Sequence, residues 1–89
     1  MTNQEFNTKL LKEIESIKGV SNVKEIFENP NKYGQIIGTI FFTCPNLRRG
    51  EVKITYSTNS YFIPDYGYRT IEEYKTDRIL KDIKKAYKI

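Results

Sequence analysis

Phe6, Leu10, Ile14 and Ile17 recur at intervals of four, four and three residues, with Leu11 beside them. That spacing puts them on one face of a helix. Thr2 and Glu5 have capping-box spacing ahead of the stripe, and Gly19 follows it as a stop. The period then changes. Residues 23–28 and 35–44 read as extended runs, divided by the turn-rich Asn29-Pro30-Asn31-Lys32-Tyr33-Gly34, and Pro45 closes the second. After Leu47-Arg48-Arg49-Gly50, residues 51–57 alternate strictly, with Val52, Ile54 and Tyr56 on one face and Glu51, Lys53, Thr55 and Ser57 on the other. Connections this short predict an antiparallel meander.

The middle run carries apolar residues on both faces. Ile36, Ile40, Phe42 and Cys44 share one, with Gly38 among them; Ile37 and Phe41 alternate with Thr39 and Thr43 on the other. The first face is expected to pack on helices. The second is expected to be covered by the following loop, or to be a contact surface for a weak homodimer.

That loop, residues 59–68, holds Tyr61, Phe62, Tyr66 and Tyr68, four aromatics in ten residues. Large amphipathic rings at such density anchor interfaces or stack on bases, and Tyr61 to Ile63 is also a candidate fourth, edge strand. Asp65 after Pro64 reads as a turn residue. From Thr70, with Glu73 in capping-box position, residues 70–89 read as a second helix. Ile79, Ile83, Ala86 and Tyr87 form its apolar side, with Leu80 flanking. Tyr74, Arg78, Lys81, Lys85 and Lys88 form a stripe on the opposite side. Ile71 and Tyr74 fit the core face poorly and are expected to dock under the aromatic loop, whereas Glu72 lands near the middle of the apolar side without a rationale.

The expected fold is therefore α+β: one domain over residues 1–89, with a single-layer meander of three strands, or four with the edge strand. Both helices pack on one sheet face in the order α-β-β-β-α. At 89 residues with 38% apolar and 29% charged positions, the chain has the composition of an ordinary globular domain. It has no apolar run long enough to span a membrane. The order of elements is shared with double-stranded RNA binding domains. Where that family opens its last helix with Lys-Lys-x-x-Ala-Lys, however, this chain has Thr70-Ile71-Glu72-Glu73.

Charge divides unequally. Through Leu47 there are five basic and five acidic residues; beyond it there are ten and six, so the second half carries the whole net charge of +4. This asymmetry points to an anionic partner: nucleic acid, a nucleoprotein complex or an acidic protein surface. The residues expected to meet it are Arg48, Arg49, Arg78, Lys81, Lys85 and Lys88. Tyr61, Phe62, Tyr66, Tyr68 and Tyr74 are the expected stacking or protein-anchoring positions.

The chain has no histidine, which removes imidazole acid-base chemistry, His-containing triads and His-ligated zinc together. No cofactor, metal or catalytic site is expected. Cys44 is the only cysteine, expected to be a buried strand residue in a reducing, cytoplasmic setting.

The segment Leu47-Arg48-Arg49-Gly50-Glu51-Val52-Lys53-Ile54-Thr55-Tyr56 resembles the Leu-Arg-x-Gly-x-Tyr-Arg-x-x-Tyr strand of RelE-type ribonuclease toxins. The resemblance implies a ribonuclease site at Arg49, Lys53 and Tyr56, a minor alternative to simple binding. In composition alone, rich in Lys, Asn, Ile and Tyr, the chain is similar to accessory proteins of phages and mobile elements, including anti-restriction and anti-CRISPR proteins. That likeness implies a protein-directed inhibitor or adaptor anchored by the aromatic loop.

Overall fold

The computed structural model describes every residue except Glu73. Helix α1 (Asn3–Glu15) is followed by strands β1 (Ser21–Glu28), β2 (Ile37–Thr43) and β3 (Arg49–Thr55). A 3-10 turn (Tyr56–Thr58), strands β4 (Ser60–Ile63) and β5 (Gly67–Thr70) and helix α2 (Asp77–Tyr87) complete the chain. The strands form one antiparallel sheet in the order β1-β2-β3-β4-β5.

The start of α1 is as expected. Thr2 caps it, its hydroxyl accepting from the Glu5 N–H at 3.1 Å while its own N–H donates to the Glu5 carboxylate at 2.9 Å. These bonds hold the Glu5 carboxyl below its ordinary pKa.

Phe6, Leu10 and Ile14 of α1 and Ile79, Ile83 and Tyr87 of α2 share one core with Ile40, Phe42, Val52, Ile54, Tyr61 and Ile63 of the sheet. Both helices therefore lie on the same sheet face. Alternation along β3 is as expected, with Gly50, Val52 and Ile54 buried. Two glycines let side chains approach the sheet. A Cβ on Gly50 would stand 2.0 Å from the Phe42 ring, and one on Gly38 would stand 2.1 Å from Asn7 Oδ1. Into the space over Gly38 the buried Asn7 inserts, accepting from the Tyr56 hydroxyl at 2.8 Å and donating to the Glu25 carboxylate.

Two expectations are corrected. The sheet has five strands, because the aromatic stretch folds into a hairpin instead of a covering loop. Ser60 pairs with Thr70, Tyr61 with Arg69, Phe62 with Tyr68 and Ile63 with Gly67, around a turn in which Asp65 takes a left-handed φ of 65°. The last helix begins at Asp77 and not at Thr70. Residues 67–70 find hydrogen-bond partners on β4, the Ile71 N–H donates to the Asn59 carbonyl at 2.8 Å, and Tyr74 adopts a φ of 45° that no continuous helix permits. The capping role expected of Glu73 lies outside the described residues. Thr76 occupies the N-cap position, but its hydroxyl donates to the Glu13 carboxylate at 2.9 Å and so ties the two helices together.

The second face of the sheet is open. Ile26 is 56% exposed, Phe41 37% and Tyr68 74%, although Ile37 on the same face is buried beside the β1–β2 loop.

Candidate functional site

On α2 the inward residues are Ile79, Asp82, Ile83 and Tyr87, and Arg78, Lys81, Lys84 and Lys85 are exposed along the other side. Lys88 is exposed too, as the left-handed C-cap with φ 56°. The stripe is thus intact from Arg78 to Lys88, about 15 Å of helix. Lys84 joins it, although its spacing places it nearer the flank. Tyr74 does not belong to it: off the helix and half-exposed, its ring packs edge-on against Phe6 at 5.9 Å.

Arg48 and Arg49, neighbours in sequence, part company. The Arg48 guanidinium lies over the Tyr87 ring at 5.2 Å, against the last turn of α2, and pairs with Asp65 at 3.7 Å. Arg49 opens β3 opposite Thr43, and strand alternation turns it toward the open face. Tyr87 also finishes the sheet. Strand β4 ends before it can pair with Glu51, and the Tyr87 hydroxyl takes that place, accepting from the Glu51 N–H at 3.0 Å and donating to its carbonyl at 3.3 Å.

The expected aromatic anchors also divide. Tyr61 is 1% exposed and donates to the carboxylate of Asp82, itself 5% exposed; Tyr66 donates to the same group at 3.0 Å. Arg69 completes the cluster, 3.2 Å from the Asp82 carboxylate and 5.6 Å over the Tyr66 ring. Burial, then the hydrogen bond and charge of Asp82, push the Tyr61 phenol above its ordinary pKa. Tyr61 and Tyr66 therefore hold α2 to the hairpin. Phe62 and Tyr68 remain outward, their rings in tilted contact at 4.6 Å. Asp82 was legible as a carboxylate one turn after Ile79, flanking the core face of the helix.

The open face gathers residues that sequence spacing alone did not assemble. Cross-strand register lines up Ile26, Thr39, Lys53, Phe62 and Tyr68 in one row across all five strands, and Lys24, Phe41 and Glu51 in the next. A groove of about 590 Å³ runs round one end of the sheet, from Lys24, Phe41 and Arg49 on the open face to Arg48 and Tyr87 beside the last turn of α2. The outward side of α2 and this basic-aromatic face point to opposite sides of the two-layer fold.

Arg49, Lys53 and Tyr56 do not converge. The first two alternate toward the open face, whereas Tyr56 is buried under α1 with its hydroxyl on Asn7. Cys44 is buried as expected, and desolvation raises its thiol pKa, the reverse of an activated nucleophile. Among the described residues no three acidic or cysteine side chains are placed to hold a metal ion, and no helix is long and apolar enough to cross a membrane. Comparison with family models, curated proteins and solved structures finds no match to this chain.

Proposed function

We infer that the chain is a small binding domain whose α2 stripe engages the phosphates of a nucleic acid or nucleoprotein. The observation that carries this is a row of exposed cations with no acidic partner among the described residues. Among the described residues the only ion pairs are Arg48 with Asp65 and Arg69 with Asp82, so none engages Arg78, Lys81, Lys84, Lys85 or Lys88. Helix stabilisation accounts for part of the row, since Lys84 and Lys85 in the last turn complement the negative end of the helix dipole. It does not account for Arg78, which stands in the first turn, at the positive end. Lys81 at mid-helix gains little from the dipole either. Arg48 is not part of the row, because it pairs with Asp65 and lies over the inward Tyr87 ring.

Binding is tested by fluorescence anisotropy with labelled duplex DNA, single-stranded DNA and RNA over a salt series. A stripe meeting about four phosphates gives a log-log salt slope of about −3 to −4 on duplex. The combined variant Arg78→Glu, Lys81→Glu, Lys85→Glu and Lys88→Glu should keep its fold and lose binding. No binding to any of the three nucleic acids, or binding unchanged in the variant, overturns the reading.

A second reading, a protein-directed inhibitor or adaptor, is favoured by the open sheet face. Its anchors would be Phe62 and Tyr68, since Tyr61 and Tyr66 are committed to Asp82. Pull-down with the Phe62→Ala, Tyr68→Ala double variant separates the two: loss of a captured partner supports a protein target, and unchanged capture removes these anchors.

A further inference from the structure

Strand β1 is an edge of the sheet, and its backbone groups on that side have no strand partner. Which groups they are follows from the register. The Tyr56 N–H donates to the Ile36 carbonyl and the Cys44 N–H to the Arg48 carbonyl, so even-numbered positions of β2 bond toward β3. Antiparallel strands direct alternate residues to opposite sides. Ile37, Thr39 and Phe41 therefore bond toward β1, where they meet Glu28, Ile26 and Lys24. Glu25 and Phe27 are left facing the open edge with their N–H and C=O groups.

An unprotected edge is a template for another strand. At this one the side chains on the open face run Lys24, Ile26, Glu28, with opposite charges flanking an isoleucine that is 56% exposed. Read in reverse, that order is its own complement. A second copy laid antiparallel, with Ile26 against Ile26, puts each Lys24 opposite a Glu28. It also exchanges four backbone hydrogen bonds between Glu25 of each copy and Phe27 of the other. The central pair is of the non-hydrogen-bonded kind, in which facing side chains come closest. The register irregularity between Ser21 and Lys24, where Asn22 has a φ of 52°, bends the strand start away and limits regular pairing to residues 24–28.

We propose that the chain forms a weak, reversible homodimer by antiparallel pairing of β1 with β1 of a second copy, joining two five-stranded sheets into one of ten. The test is sedimentation velocity over a dilution series from micromolar to millimolar, with circular dichroism confirming the fold of every variant. The wild type should show a concentration-dependent dimer, and Ile26→Lys should be monomeric throughout. Lys24→Glu or Glu28→Lys alone turns two attractive pairs into two repulsive ones and should weaken dimerisation about tenfold. Lys24→Glu with Glu28→Lys restores the complement and should recover wild-type association. A monomeric wild type, an Ile26→Lys variant that still dimerises, or a double variant no better than the singles overturns the proposal.

Discussion

Asp82 is the residue on which the attachment of α2 to the sheet most depends. Its carboxylate accepts from Tyr61 and Tyr66 and faces Arg69, so one side chain of α2 holds three residues of the β4–β5 hairpin. Asp82→Ala leaves the buried Tyr61 hydroxyl without an acceptor and should cost about 2 to 4 kcal/mol in urea unfolding. Tyr66→Phe removes only a half-buried bond and should cost about 1 kcal/mol. The Arg69 pair adds little to that sum, because its guanidinium is largely solvated. The phenols of Tyr56, Tyr61 and Tyr87 are all raised above the ordinary tyrosine pKa, burial being the largest cause in each. In the unfolded chain they ionise near pH 10, whereas the folded chain keeps them neutral. Their contribution to stability is therefore fully present at neutral pH and is lost as pH rises above about 10. A tyrosinate absorbance titration should show part of the seven tyrosines ionising only with the loss of helical dichroism. All seven ionising near pH 10 with the fold intact would refute this.

At the scale of elements, α2 separates its tasks by side. Its inner residues close the core, so the outer cations contribute no packing and at most a weak dipole interaction, and reversing Lys81, Lys85 or Lys88 to Glu should change stability by about 0.5 kcal/mol each. If nucleic-acid affinity also survives those reversals, the stripe is only a solvated face. The sheet is less forgiving. Gly50→Ala sets a methyl against the Phe42 ring, which itself packs edge-on against Tyr87 at 5.4 Å, and should cost about 1 to 3 kcal/mol in unfolding. The helix start was misplaced by periodicity because residues 67–70 have no strong preference of their own: the strand forms when β4 is there to pair with. The poor fit of Ile71, Glu72 and Tyr74 to a helical core face was the legible sign that α2 starts later.

For the molecule as a whole, two layers leave two exposed faces with different chemistry. Cations line the helix side; aromatics, Ile26 and mixed charge occupy the sheet side. Pairing through β1 keeps both helix layers on one side of the joined sheet, since facing residues on antiparallel strands share a face. Two α2 stripes would then face the same direction, and dimerisation would raise affinity for a long nucleic acid by avidity without any new contact. The expected signature is that Ile26→Lys weakens binding to long duplexes while leaving binding to a fragment too short for two stripes unchanged, which an anisotropy comparison of the two lengths measures.

Local pattern was sufficient for α1 and its Thr2–Glu5 cap, for the faces of β2 and β3, for the core side of α2 and for its outward stripe. Each is decided by spacing along a single element, and burial of one face follows from which positions are apolar. Tertiary structure alone decided the rest. The aromatic stretch became a hairpin because its backbone groups found partners in each other. Tyr61 and Tyr66 turned inward because Asp82 of a distant helix offered an acceptor, and Arg48 and Arg49 separated because one packs on Tyr87 while the other follows the pleat of β3. The open face, with Lys24, Ile26, Phe41, Lys53, Phe62 and Tyr68 brought together from three strands and a hairpin, exists only once register is set, and register is a relation between strands that no single stretch of sequence contains.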